Sequence, residues 1–264
     1  MEIVFDKVSN TVLHNLSFTL KKGSIIGVTG KERKALLETI AYLLPVEGNA
    51  TIGDISYHLE NIHEIKEKIS FIDQNWNNKF LCSTVEEHIT IWIHHNKIPI
   101  KEPRKRVLSA LKMVGLTEEY LKKELVTLSS SEQKLLQIAI SLLSNPSILL
   151  LDEPFAILDT KAQKKLERLF VKLKERYNKT IIIASHDSDM LYRFTEYMIF
   201  LKNGTILRKA ETTTIYQNVK FLKRYHYEIP DIVLFTNKAI EQKGAKLEYH
   251  KDIRDLIKDV YKHV

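Results

Sequence analysis

Four consecutive apolar residues, Ile148, Leu149, Leu150 and Leu151, run directly into two carboxylates, Asp152 and Glu153, and then into Pro154. A run with no polar alternation reads as a strand buried on both faces, the kind found inside a parallel sheet. Proline ends such a strand. In an open α/β sheet, ligands sit at the C-terminal edge of the strands. The two acids are therefore delivered to a crevice. One reading is a Mg²⁺-nucleotide site, in which Asp152 holds the metal or its water and Glu153 polarises an attacking water. The plainer reading is a core strand that runs into an acidic turn.

The segments around this strand repeat the pattern. Residues 161–177 form an amphipathic basic helix with an apolar stripe of Leu166, Leu169, Phe170 and Leu173. A second buried strand over 180–185 follows and ends at His186. Strand, helix, strand of this length is a right-handed parallel crossover, which brings His186 to the same edge as Asp152 and Glu153. Near the start, strand-like pieces cover 2–8, 13–20 and 24–29. The last ends at Gly30 and leads into a helical pattern over 34–44, the context of a phosphate-binding loop.

That loop departs from the rule G-x-x-x-x-G-K-[ST]. From Gly27 the chain reads Gly-Val-Thr-Gly-Lys-Glu-Arg-Lys-Ala. Gly27 and Gly30 are in place. Glu32 stands at the second motif glycine, Arg33 at the lysine and Lys34 at the metal-binding hydroxyl. Arg33 is no conservative replacement for a threaded point charge, and Lys34 offers a metal no oxygen. Lys31 and Lys34 flank the altered positions. Either one of them neutralises phosphates in place of the lysine and metal, or both are solvated surface groups.

Elsewhere, 48–55 reads as a hairpin turning at Gly53-Asp54, and 68–73 as a strand ending at Gln74. Helical patterns cover 85–94, 104–114 and 132–143, a helical insertion over about 76–144. A strand over 194–200 leads through Asn203-Gly204 into one over 206–209. Beyond 211 the chain changes character, with helices over 231–243 and 253–261. The expected division is 1–210 and a small unit over 211–264.

At this point the motifs together resemble a family. The chain is similar along its length to the ATP-binding subunits of ABC transporters. Residues 148–153 look like the Walker B strand with its catalytic glutamate. Leu158-Asp159 resembles the D-loop, His186 the switch histidine and Gln74 the Q-loop glutamine. Leu128-Ser129-Ser130-Ser131-Glu132-Gln133 sits where the family has Leu-Ser-Gly-Gly-Glu/Gln. The segment Gln74-Asn75, Asn78 to Leu81 and Thr84 to Glu87, with Phe221-Leu222-Lys223 and Ile229-Pro230, is similar to the energy-coupling factor (cobalt/vitamin-type) importers. Both signature glycines are serine here. The aromatic residue that usually stacks on adenine is absent from 8–14.

The resemblance implies an α/β P-loop NTPase fold: a parallel-sheet core, an antiparallel β subdomain, a helical subdomain and a C-terminal appendage. It implies ATP and Mg²⁺ as ligands. Glu153 and His186 would be catalytic. Gly27, Thr29, Gly30, Lys31, Arg33, Lys34, Ala35, Gln74, Ser129, Ser131 and Asp159 would line the nucleotide, and Asp152 and Gln74 the metal. It further implies a second ATP-binding subunit, a membrane scaffold subunit and a substrate-capturing membrane subunit, with this chain on the cytoplasmic face of the membrane. Each ATP of the family lies between the Walker motifs of one subunit and the signature of the other. A homodimer would place both sets of altered residues in both sites, whereas a heterodimer would place one in each. The expected activity is transport-type ATPase that depends on a partner. The alternative is an impaired cassette with a structural or regulatory role.

Composition sets the outer bounds. A hydrophobic fraction of 44% suffices for a core without cross-links, and one cysteine cannot form an internal bridge. Glu2, Asp6 and Lys7 interrupt any signal-peptide layout, and no run approaches the ~20 apolar residues of a membrane span. The net charge of +7 is spread along the chain without interleaved aromatics, so nucleic acid is not an expected partner.

Overall fold

The computed structural model describes residues 1–74, 82–96 and 100–263. The chain begins with β1 (Ile3–Ser9), β2 (Leu16–Leu20) and β3 (Ile25–Thr29), followed by α1 (Arg33–Ile40), β4 (Glu47–Ile52) and β5 (Ile55–Ser56). Then come α2 (Ile62–Lys68), β6 (Ile69–Ile72), α3 (Val85–His95), α4 (Pro103–Val114) and α5 (Ser130–Ser141). The central segment is β7 (Ile148–Asp152), α6 (Thr160–Tyr177), β8 (Thr180–Ala184) and α7 (Ser188–Phe194). The hairpin β9 (Tyr197–Lys202) and β10 (Thr205–Glu211) precedes α8 (Thr212–Gln217), α9 (Val219–Tyr225), α10 (Asp231–Lys243) and α11 (Ile253–His263).

Two sheets result. The smaller is antiparallel, in the order β2-β1-β4-β5. The larger runs β10-β9-β3-β8-β7-β6, with parallel pairing from β9 through β6 and β10 antiparallel at its edge. The apolar run of β7 is buried on both faces as its sequence requires. Ile148 and Leu150 join the core shared with the small sheet and α1. Leu149 and Leu151 join the core under α4, α5 and α6. In β8, Ile182 and Ala184 divide from Ile181 and Ile183 in the same way. The α8–α10 segment packs Ile215, Tyr216, Leu222 and Val233 into the second of these cores.

Several expected boundaries shift. Helix α1 stops at Ile40 rather than running to 44, because Tyr42 takes a left-handed backbone (φ 54°). Residues 10–15 are a turn and not the start of β2: the Asn10 side chain accepts from the Val12 and Leu13 amides. Phe194 closes α7 instead of opening β9, since Asp187 caps a helix there by accepting from the Met190 amide. Helices α2, α8 and α9 were not expected. Of the helical insertion, 76–81 and 97–99 lie outside the described residues, as do Asn75 and Asn78 to Leu81 of the importer-like segment.

Candidate functional site

The parallel register assembles the site. Ile72 pairs with Leu151, Asp152 with Ala184, and Val28 with Ala184. The residues that follow each strand therefore emerge along one edge: Thr29-Gly30, Asp73-Gln74, Glu153, and Ser185-His186. The expected convergence of Asp152, Glu153 and His186 is present. Gln74 is exposed at the end of this row.

Glu153 is 3% exposed and has a left-handed backbone (φ 47°), an uncommon conformation for a side-chain-bearing residue. Its carboxylate is heavily partnered. Oε2 accepts from the Ser185 hydroxyl at 2.7 Å. Oε1 accepts from the His186 backbone N–H at 2.9 Å, lies 2.6 Å from His186 Nδ1, and accepts from the Arg33 guanidinium at 3.2 Å. Neighbouring Asp152 is also 3% exposed. Burial pushes its carboxyl above the usual range; Glu153 and Asp73 add to this, while Arg33 and Lys34 oppose it.

The loop over 27–35 explains its glycines by packing. A Cβ on Gly27 would lie 2.3 Å from the Met198 sulfur. Gly30 has φ 122°, and a Cβ there would lie 2.2 Å from the Leu201 carbonyl oxygen. Arg33 bends back over the loop, donating to the Gly30 carbonyl at 3.3 Å as well as to Glu153. Lys34 does not project freely into solvent. Its ammonium donates to both Asp73 oxygens, at 3.0 and 3.1 Å. Burial disfavours the charge on Lys34, but the Asp73 hydrogen bond and the Asp73, Glu38 and Asp152 carboxylates outweigh it and hold the group above its ordinary range. Lys31 is exposed. Glu32 keeps a buried carboxylate oxygen without a hydrogen bond.

A cavity of about 460 Å³ lies over this loop, bounded by Gly30, Lys31, Arg33, His186, Tyr225 and Tyr227. Burial, aided by Glu32, pushes the Tyr227 phenol up to about 12, so it stays neutral and donates to the Leu201 carbonyl at 2.6 Å.

The signature-like residues form a separate group. Ser129 caps α5 in a reciprocal box with Glu132, its oxygen accepting from the Glu132 amide at 3.3 Å. Ser131 donates to the Ile157 carbonyl at 2.9 Å, and Ile157 is itself left-handed (φ 65°), an outlier for a β-branched residue. Asp159 caps α6 by accepting from the Ala162 amide at 2.8 Å. Ser129 and Asp159 cap their own helices, and only Ser131 bridges them, from the start of α5 to the turn before α6; none of the three bonds to Glu153.

Three participants were not foreseen: Asp73, Ser185 and Lys134. Lys134 is only 4% exposed. Its ammonium donates to the Asp73 carbonyl at 3.4 Å, beside the Gln137 amide, which does the same. Burial lowers Lys134 from its ordinary range, while Asp152, Asp73 and Glu153 favour the charged form. A signal existed in the sequence: Lys134 shares a helical face with the apolar Ile138 and the small Ser141.

Mg²⁺ requires near-octahedral oxygen ligation. Here the hydroxyl position is an ammonium, and Arg33, Lys34 and Lys134 all act on Asp152. Among the described residues no group of three acid, histidine or cysteine side chains is placed to hold a metal ion. The residues present do not fit a divalent cation.

This sheet edge, where a loop and a histidine border one cavity and a buried acid pair stands beside them, is the arrangement of a nucleotide-binding cassette of the P-loop type. The chain belongs to the ABC transporter family, whose model matches residues 13–156. It is 31% identical over 239 residues to the energy-coupling factor transporter ATP-binding protein EcfA1 of Streptococcus mutans, covering 88% of this chain and 83% of that one. The EcfA2 protein of Enterococcus faecalis is 29% identical, over 89% and 84%. The EcfA1 protein of Mycoplasma capricolum is 28% identical over 95% of this chain, which spans 62% of that relative's length. Among solved structures, the dimeric cassette MJ0796 superposes with a TM-score of 0.72 at 28% identity, covering 80% of this chain and 98% of that one. The cbiO1 protein of Clostridium perfringens shares the fold with a TM-score of 0.73 at 23% identity, over 89% and 98%. The expected fold class is thereby met.

Proposed function

We propose that this chain is an ATP-binding motor half of an energy-coupling factor type importer. It pairs with a second ATP-binding subunit whose loop and signature are intact. The pair docks at the cytoplasmic face of the membrane on a scaffold subunit that carries a substrate-capturing subunit for a vitamin or metal ion. The division into a 1–210 ATP-binding unit and a 211–264 appendage belongs to the same reading. No helix among the described residues is long and apolar enough to cross a membrane, so docking goes through partners. The similarity to energy-coupling factor transporter ATP-binding proteins and to a cassette solved as a dimer supports this reading. So does the exposed apolar row Ile253, Ile257 and Tyr261 along α11, a surface suited to a protein neighbour.

The observation that carries the division of labour is the saturation of Glu153. An acid that already accepts from Ser185, His186 and Arg33 has little capacity left to polarise a water. Turnover therefore belongs to the site built on the partner's Walker motifs, completed by Ser129 of this chain. The test is ATP hydrolysis by the chain alone and by the reconstituted complex. Negligible turnover alone, and turnover in the complex that survives Glu153→Gln, is expected. Robust hydrolysis by the isolated chain contradicts the reading.

A further inference from the structure

The altered loop reads as a loss, but the structure places replacements around it. In the intact motif, a lysine and a divalent ion together bring three positive charges to the phosphates and the strand-edge acids. In this chain Arg33 pairs with Glu153, Lys34 pairs with Asp73, and the buried Lys134 ammonium donates to the Asp73 carbonyl within the field of Asp152 and Glu153. They come from two sides. Arg33 and Lys34 approach from the first turn of α1, with side chains 25% and 41% exposed, while Lys134 approaches from within α5, behind the acids. The electrostatic need that a metal ion would meet at Asp152 is met by protein.

We propose that Arg33, Lys34 and Lys134 stand in for the divalent cation, so that this pocket takes a nucleoside triphosphate in its metal-free form and discriminates against the metal complex. The inference rests on the pocket being the nucleotide site proposed above. The physical reason has two parts. Three ammonium or guanidinium groups attract a metal-free triphosphate, whose charge is higher than that of its magnesium complex. The same groups repel a bound divalent ion, which also finds no hydroxyl at position 34. Arg33 and Lys34 are long and partly exposed, and reach the loop cavity by exchanging a carboxylate partner for a phosphate of similar geometry. Lys134 stays behind, beside the acids they leave, and offsets part of their charge.

The test is an equilibrium titration of the full chain with a fluorescent, non-hydrolysable ATP analogue, once in EDTA and once in excess Mg²⁺. Binding in EDTA tighter by roughly tenfold is expected, the difference made by one charge-assisted contact. Equal affinity, tighter binding in Mg²⁺, or no binding in EDTA overturns the inference. The Arg33→Lys/Lys34→Ser variant, changed only at partly exposed positions, should lose the preference for EDTA. Adding Lys134→Gln should reverse it, with folding checked by circular dichroism. If the double variant keeps the full preference, these residues are not its source and the inference fails. Manganese electron paramagnetic resonance supplies a second readout: the wild-type chain with the analogue should show no protein-bound Mn²⁺, and a protein-bound signal overturns the inference. Failure of the pairing reading appears elsewhere, as absence of a partner-dependent ATPase. A chain that pairs and drives turnover yet prefers the magnesium complex sinks this inference alone.

Discussion

The Nδ1 atom of His186 lies 2.6 Å from Oε1 of Glu153, and the His186 backbone N–H donates to the same oxygen. The imidazole is 72% exposed while the carboxylate is 3% exposed, so a buried acid holds a surface histidine in place. Removing the acid's charge should therefore be felt well beyond the pair. Glu153→Gln leaves the Arg33 guanidinium without its carboxylate and weakens the Ser185 and His186 contacts. A loss of about 1.5–3 kcal/mol is expected, the range for hydrogen bonds to charged groups. Urea unfolding monitored by fluorescence measures it, and a change within error would show that the network carries no net stability.

Asp152 yields a pH dependence of defined sign. Its carboxyl titrates above the ordinary value in the fold, first through burial. Between the unfolded and folded values the native state binds more protons than the unfolded one, so this group makes stability fall as pH rises through that window. Asp152→Asn removes the titration. The variant should match the wild type below the ordinary carboxylate range and become the more stable of the two as pH rises towards neutrality. Thermal unfolding from pH 4 to pH 8 checks this, and parallel curves would contradict it.

The Lys34–Asp73 pair should contribute little to stability despite its two short contacts. The side chains are 41% and 21% exposed, and solvent screens such pairs. A double-mutant cycle with Lys34→Ala and Asp73→Asn should give a coupling of no more than about 1 kcal/mol, reduced further by salt. A much larger coupling would place the pair in a drier setting than its exposure indicates.

Gly30→Ala should be costly without any ligand. Its φ of 122° and the Leu201 carbonyl oxygen 2.2 Å from the new Cβ both oppose a side chain. A loss of about 2–3 kcal/mol is expected, through backbone strain and overpacking. Denaturation of the ligand-free protein measures it, and a neutral result would mean that β9 moves aside.

The parts of this molecule set by chain-local rules were legible in the residues. The apolar runs of β7 and β8 fixed two central strands, and a crossover of known hand then placed Asp152, Glu153 and His186 on one edge. Long side chains were not legible. Whether Arg33 reaches outward to an anion or back to Glu153 depends on its rotamer and on the height of β7 beside it, which no spacing rule supplies. Lys34 left two readings open, and its actual partner, Asp73, follows the end of β6, 39 positions away. Short helices such as α7 were missed because a capping Asp187 after a strand looks like a loop until its acceptor role is seen. Gly27 and Gly30 matched a ligand-binding pattern, yet Met198 and Leu201 already account for both.

The interior position of Lys134 makes the altered pocket hard to undo stepwise. On the proposal above, restoring serine at 34 alone strips one cation from the acids, yet the Lys134 ammonium remains at the Asp73 carbonyl to compete with an incoming ion. Replacing Lys134 alone leaves the outer pair facing a group of acids without their rear support. If the three cations act together as proposed, either path leaves the acids one cation short, so two segments a hundred residues apart in sequence act as a ratchet on the cassette's chemistry.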